Sequence, residues 1–159
     1  MAKDVHIRRI ENAEPRDAKP LHEELIAKGF SPYHKLADRE ELSLKENCTK
    51  YVMQLEKRTP TVSFHVDGYI INEGNKCDYI VMAQSDVRKN RWTEILVELK
   101  GTDVKKAIEQ LESSLNADIL KNGLIESLKA RLVAVSFPSH KSNPVLEKAR
   151  RRFERVYKC

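Results

Sequence analysis

Apolar residues recur with a helical period in the first half of the chain. Between Asp38 and Lys57 they are spaced three and four positions apart, which places them on one face of an α-helix: Leu44, Cys48, Tyr51, Val52 and Leu55. After Pro60 the period changes to two, because Val62, Phe64 and Val66 alternate with polar residues. This alternation predicts a half-buried strand.

Two more strands and a helix are predicted to follow. One strand carries Asp78, a charged connection runs from Gln84 to Arg91, and the next strand covers Ile95 to Leu99. The short connection indicates a hairpin. Thr102 is a good N-cap for a helix that ends at Asn122-Gly123. Its apolar face is formed by Val104, Ile108, Leu111 and Leu115.

The pattern ends with a strand and a helix. The run from Arg131 to Phe137 is apolar from Leu132 to Val135 and again at Phe137, which is typical of a fully buried strand. Asn143 caps the last helix, and Pro144 takes the first-turn position that tolerates proline. The predicted order is helix, three strands, helix, strand and helix. The expected fold class is therefore α/β, a single domain with a mixed central sheet flanked by helices.

Domain organisation follows from the same pattern. At 159 residues the chain is long enough for one domain with its own core. Residues 36–159 are assigned to that domain, and residues 1–35 to an N-terminal extension packed on the core or on a partner subunit. Within the extension, Leu21 to Lys28 predict a short helix ended by Gly29.

Composition indicates a soluble protein of the cytoplasm. Apolar residues make up 40% of the chain, yet no apolar run approaches the roughly 18 residues that span a bilayer. The start of the chain has no apolar signal-peptide core. The three cysteines lack metal-ligand spacing, so reduced thiols are expected. The net charge of +5 is compatible with a polyanionic partner.

Candidate chemistry converges on the predicted hairpin. Glu98 and Lys100 are two positions apart in one strand, so they share a face of the sheet, and pairing would bring Asp78 beside them. Two carboxylates attract a hard cation such as Mg²⁺. A lysine beside the metal could orient a water or offset charge on a phosphate. The alternative is an ordinary strand end with a lysine in a salt bridge.

These residues resemble the signature of the PD-(D/E)XK nuclease superfamily. That signature is an acid in one strand, then an acid, any residue and lysine in the next strand, then a helix; here it reads Asp78 and Glu98-Leu99-Lys100. The resemblance implies that Asp78, Glu98 and the Leu99 carbonyl hold Mg²⁺ or Mn²⁺, while Lys100 orients or activates water. It also implies a glutamate on the first helix, for which Glu41 is the candidate, with Glu40 and Glu73 as alternatives.

What the resemblance implies about function is a metal-dependent endonuclease that hydrolyses phosphodiester bonds in DNA. A structure-selective enzyme such as a junction resolvase and a restriction-type enzyme both fit. Either usually acts as a homodimer, and no organic cofactor or membrane is expected. The alternative function is a catalytically inactive module on the same fold that binds nucleic acid or another protein.

Cationic side chains supply candidate phosphate contacts in two places. One is the charged connection, with Arg88, Lys89 and Arg91, and the other is the last helix, with Arg151, Arg152 and Arg155. Both runs could equally be solvated surface. Trp92 is either a stacking residue or part of the core, and His65 either lies on a polar strand face or approaches the scissile phosphate. Gln110 is a further candidate by the resemblance, although it lies opposite Ile108 on the helical wheel.

Overall fold

The fold, seen in a computed structural model, is built on one five-stranded sheet. The structure describes residues 18–100, 103–134 and 144–159, with only the backbone of Lys100. The strands are β1 (His34–Glu46), β2 (Thr49–His65), β3 (Tyr79–Asp86), β4 (Arg91–Lys100) and β5 (Ile125–Ala134). They lie side by side in chain order. β1 to β4 pair antiparallel, whereas β5 runs parallel to β4.

Three helices accompany the sheet in the described residues. They are α1 (Leu21–Ala27), α2 (Val104–Asn116) and α3 (Pro144–Arg152), and α3 continues into a π-helical turn at Phe153–Tyr157. The α/β class with a mixed sheet is therefore confirmed. The cap of α2 is Asp103, whose carboxylate accepts the Lys106 N–H at 3.0 Å; Thr102 and Asn143 lie outside the described residues. α2 also ends earlier than predicted, before a short 3-10 turn at Asp118–Leu120.

The predicted helix from Asp38 to Lys57 is wrong. This stretch belongs to the β1–β2 hairpin, which turns at Asn47 and Cys48 between the paired residues Glu46 and Thr49. Asn47 has φ +50, the left-handed conformation that a tight hairpin turn requires. Each arm alternates with period two, so the helical spacing arose only from counting across the turn.

The hairpin also replaces a helical layer. A first core cluster joins α1, α2 and the end of α3 to one face of the sheet, with Leu25, Leu111 and Phe153 among its members. On the opposite face, Leu42 and Leu44 from the far half of the hairpin pack with the sheet residues of the second cluster: Tyr79, Val81, Ile95, Val97 and Leu99. The prediction of helices flanking the sheet is therefore corrected, because one flank is covered by the folded-over hairpin.

The ends of the described chain match the prediction only in part. The short helix predicted from Leu21 is confirmed as α1, and Leu21 and Leu25 are buried in the first cluster, so this segment packs on the core; β1, however, already begins at His34. β5 begins at Ile125 rather than Arg131 and is partly exposed along its length, because it lies at one end of the strand order. Among the described residues, none of the helices is both long and apolar enough to cross a lipid bilayer.

Candidate functional site

Asp78 and Glu98 meet at one end of the sheet. Tyr79 pairs with Val97, so Asp78, one residue earlier, faces Glu98. The Leu99 N–H donates to Asp78 Oδ2 at 2.7 Å, and the Asp78 N–H donates to Glu98 Oε2 at 3.1 Å. These reciprocal bonds extend the β3–β4 ladder by side chains, and they bring the two carboxylates together as the sequence predicts.

The two carboxylates differ in depth. Glu98 is fully buried, whereas Asp78 is half-buried and reaches the rim of the sheet. Hydrogen bonds from backbone N–H groups favour the charged form of a carboxylate and compensate part of its desolvation. The site therefore has an inner acid held by the fold and an outer acid that solvent can reach.

Leu99 and Lys100 complete the end of β4. The N–H and C=O of one strand residue point toward the same neighbouring strand. The Leu99 carbonyl therefore lies on the Asp78 side of β4, because its N–H already donates to Asp78. Lys100 is the last residue of β4, and its position, two after Glu98, is on the same face of the sheet as that acid.

Helix α2 positions the segment that leads into Asp78. Gln110 Nε2 donates to the Lys76 carbonyl at 3.0 Å, and the Cys77 N–H donates to Ser114 Oγ at 2.8 Å. Both side chains are buried, with Gln110 only 5% exposed. The sequence analysis named Gln110 but placed it opposite the apolar face centred on Ile108, and it did not name Ser114. The signal in the sequence was the spacing of Val104, Ala107, Gln110, Leu111 and Ser114, which follows the true inward face.

Cys77 is excluded as a nucleophile by its surroundings. Its side chain is fully buried next to Asp78, and burial raises the pKa of the thiol to about 12. The reactive form of cysteine is the thiolate, which is scarce at neutral pH when the pKa is this high. All three cysteines are free, as the sequence analysis expected, and only Cys48 is exposed.

Glu41 is not where the sequence analysis placed it. It lies in β1 with an exposed side chain, and Gln54 Nε2 donates to its Oε2 at 2.9 Å. Its neighbour Leu42 packs against the sheet, so Glu41 points to the other side of the strand. The assignment of Glu41 to the site depended on a helix that this stretch does not form.

The charged connection between β3 and β4 lies at the opposite end of the sheet. β3 has 8 residues, so roughly 25 Å of strand separates Asp78 from Arg88 and Lys89. Those two side chains are exposed, whereas Arg91 donates to the Gly123 carbonyl at 3.1 Å. Trp92 belongs to the core at 4% exposure. The candidate phosphate contacts here are thus remote from the carboxylate pair.

The arginines of α3 fall into two groups. Arg152 forms a two-pronged ion pair with Glu112 of α2, and Tyr157 donates to the same carboxylate at 3.0 Å. Arg152 therefore fastens α3 to α2, and its assignment as a phosphate contact stays a prediction. Arg151 and Arg155 are exposed and border a surface groove together with Arg152.

Aromatic rings gather at the same end of the sheet as the carboxylate pair, and His65 is the one among them that the sequence analysis singled out. Tyr33 lies 4.7 Å from His65 and 5.1 Å from Tyr79, and His65 lies 4.4 Å from Tyr79, measured between ring centroids. His34 packs edge-on against Tyr33 and shares a 2.7 Å hydrogen bond between its Nδ1 and Ser63 Oγ. Burial raises the pKa of Tyr79 above its ordinary range, and the Tyr79 hydroxyl donates to the Lys45 carbonyl at 2.6 Å.

The donor set at the sheet end is small. Within the described part of the chain, no group of three or more histidine, cysteine, aspartate or glutamate side chains is arranged to hold a metal ion. Comparison of the chain with protein-family models, curated proteins and solved structures yields no match. What this site can do is therefore inferred from its own geometry.

Proposed function

We propose that this protein is a metal-dependent nuclease that hydrolyses phosphodiester bonds in DNA. The observation that carries the proposal is the meeting of Asp78 and Glu98, each held by a backbone N–H of the other's strand. Two adjacent carboxylates repel each other, so the arrangement is stable when a positive charge lies nearby. The register position of Lys100 beside Glu98 supplies a cationic residue at the same sheet end.

The donor chemistry fits Mg²⁺ or Mn²⁺. Magnesium is commonly bound through one or two carboxylates, and waters and substrate phosphates complete its coordination. Asp78, Glu98 and the Leu99 carbonyl are the oxygen donors that would hold it. When bound, the metal would polarise a phosphate oxygen and lower the pKa of a water.

The proposed role of each site residue follows from its position. Glu98, fully buried, would be the inner oxygen donor, while half-buried Asp78 would face the incoming phosphate. Lys100 would orient the attacking water and offset charge that develops on the phosphate oxygens. Gln110 and Ser114 act indirectly, because they hold the backbone of Lys76 and Cys77 and thereby orient Asp78.

Nicking of supercoiled plasmid with Mg²⁺ or Mn²⁺ tests the proposal. Asp78→Asn, Glu98→Gln and Lys100→Ala should each reduce cleavage by at least about a hundredfold, the loss typical when a group that stabilises transition-state charge is removed. Glu41→Gln is the matched control, because that glutamate is exposed and bonded to Gln54, and it should cleave like the wild type. Chelation with EDTA should stop the reaction.

Three outcomes bear on the proposal. Full activity in excess EDTA, or in Asp78→Asn, would refute the metal mechanism. DNA binding without any cleavage would favour a non-catalytic binding module on this fold.

We include a homodimer in the proposal, because cutting both strands of a duplex needs two sites related by a twofold axis. A monomer in sedimentation equilibrium at tens of micromolar protein would instead favour single-strand nicking.

A further inference from the structure

An aromatic surface borders the carboxylate pair, and the proposed chemistry does not use it. It consists of the contacting rings of Tyr33 and His65, together with Tyr69, whose hydroxyl is bonded to Ser31 two residues before Tyr33, and is called the aromatic rim below. Tyr33 and Tyr69 are 44% and 42% exposed. Large aromatic rings are usually withdrawn from water, so two half-exposed tyrosines at one end of a sheet suggest a contact surface.

The rim is held in place by the fold. The Tyr33 N–H donates to the Ser63 carbonyl at 2.7 Å, and the Ser31 N–H donates to the Tyr69 hydroxyl at 3.0 Å. The rings of Tyr33, His65 and Tyr79 contact one another, and the fully buried Tyr79 ring forms the floor of the group. The exposed rings are therefore fixed before any partner binds, and little ordering is required on contact.

The rim begins one residue from the carboxylate pair. His65 pairs with Tyr79, the residue after Asp78, and the Val66 N–H donates to the Asp78 carbonyl at 2.9 Å. Successive residues of a strand point to opposite faces, so Asp78 and Tyr79 lie on either side of the sheet. A nucleotide likewise has its phosphate on one side and its base on the other. A nucleic-acid strand with one phosphate at Asp78 can thus pass over the end of the β-sheet and place a neighbouring base on the aromatic rim.

We infer that the aromatic rim stacks an unpaired base next to the cleaved phosphate, and that the substrate class is DNA with a single-stranded segment at the cleavage site. This inference rests on the proposed function. A base offers its face to a protein ring only when it is unstacked, which is why stacking surfaces select single strands, loops and ends over intact duplex. Selection of this kind does not depend on sequence, because every base has a π face.

The experiment compares Tyr33→Leu with Tyr33→Phe in binding to fluorescent oligonucleotides in EDTA, where cleavage is suppressed. The probes are a single strand, the matching blunt duplex and a duplex with a single-stranded overhang. Wild type should prefer the two probes with unpaired bases. Tyr33→Leu should bind those two about tenfold more weakly, the order expected for one lost stacked base, and Tyr33→Phe should bind normally. Affinity for blunt duplex should be the same in all three proteins.

Two further measurements keep the inference testable if Tyr33→Leu folds poorly. Tyr69→Leu changes the second exposed ring and should reproduce the loss. A 2-aminopurine base beside the cleaved phosphate should be quenched when it stacks on the wild-type protein. Equal affinity of wild type and both leucine variants for single strands would overturn the inference, as would an unquenched probe.

Failure of the inference can be told apart from failure of the proposed function. Metal-dependent cleavage that is insensitive to Tyr33→Leu on every probe overturns the stacking site and leaves the nuclease standing. Ring-dependent binding of single strands by a protein that never cleaves refutes the nuclease and retains the stacking site. Asp78→Asn separates the two directly, because it should lose cleavage while its preference for single strands is unchanged.

Discussion

At the scale of single residues, function in this protein depends on how far each polar side chain is withdrawn from water. Glu98 is fully buried yet accepts a backbone hydrogen bond, while its partner Asp78 reaches the rim of the sheet. The thiol of Cys77, adjacent in the chain, is kept neutral by burial. The extent of burial therefore gives these three neighbouring side chains different chemical properties.

His22 is a buried residue that should make stability depend on pH. It is 4% exposed in α1, and its ring lies 4.7 Å from the Trp92 ring. Burial lowers the pKa of His22, with an opposing effect from Glu23. The unfolded chain then binds the proton more readily than the folded one. The stability that neutral His22 contributes is full above about pH 6.5 and is lost as the pH falls toward the lowered folded pKa.

We therefore expect His22→Phe to flatten the fall in stability below pH 6.5. The change in the slope of unfolding free energy should be at most about 1.4 kcal/mol per pH unit, the value for one proton. Urea unfolding at several pH values measures it. Trp92→Phe is the control, since it alters the same contact without removing the titrating group. His34, whose pKa burial also lowers, accounts for part of the remaining slope; an unchanged slope in His22→Phe would contradict the assignment.

At the scale of elements, α2 links the core to the site. Its apolar side chains pack on the sheet, and Gln110 and Ser114 bond to the segment just before β3. A shift of α2 would therefore be transmitted to Asp78 through two backbone contacts. The β1–β2 hairpin has a similar role on the other face, where the Tyr79 hydroxyl bonds to the Lys45 carbonyl.

Ser114→Ala should weaken both stability and cleavage. Removing the hydroxyl leaves the buried Cys77 N–H without its acceptor, a loss that costs about 1–3 kcal/mol of unfolding free energy. Cleavage should fall as well, because the backbone beside Asp78 is no longer held. Ser113→Ala is the matched control on the same helix: Ser113 is only half-buried, and alanine favours helix. Equal stability and activity of the two variants would show that α2 does not position the site.

At the scale of the whole molecule, positive charge is placed at separate regions of the surface. Arg88 and Lys89 lie at the sheet end remote from the carboxylates, whereas Arg151 is exposed on α3 and Arg155 on the π-helical turn that follows it. Arg152 lies between the latter two but is ion-paired to Glu112. Under the proposed function, Arg151 and Arg155 would bind phosphate, whereas Arg152 attaches α3 to α2.

Substitution of both Arg151 and Arg155 by glutamine should weaken DNA binding, whatever the base sequence of the DNA. The slope of log affinity against log salt should drop by about 0.9 for each duplex phosphate contact that is lost. Arg152→Gln should instead lower the melting temperature, because α3 loses its ion pair with α2. Binding titrations at several salt concentrations, with thermal unfolding, separate the two effects. A slope that is unchanged in the double variant would reduce α3 to a packing element.

Several features followed from local pattern alone. Alternation in β2, the short connection between β3 and β4, and the apolar face of α2 are properties of neighbouring residues, so periodicity was enough to predict them. The same locality explains why the approach of Asp78 to Glu98 was predictable: a hairpin brings the start of one strand beside the end of the next. By the same alternation, the acid-x-lysine spacing predicts that Glu98 and Lys100 share a face of β4.

Tertiary structure decided the rest. The residues from Asp38 to Lys57 are rich in helix formers, and they become strands because Leu42, Leu44 and Met53 can cover a sheet face only when the hairpin folds over it. That packing removed Glu41 from the site. The burial of Gln110, the ion pair of Arg152 and the position of Tyr33 likewise depend on partners distant in the chain. No local period can encode such contacts, because packing between elements creates them.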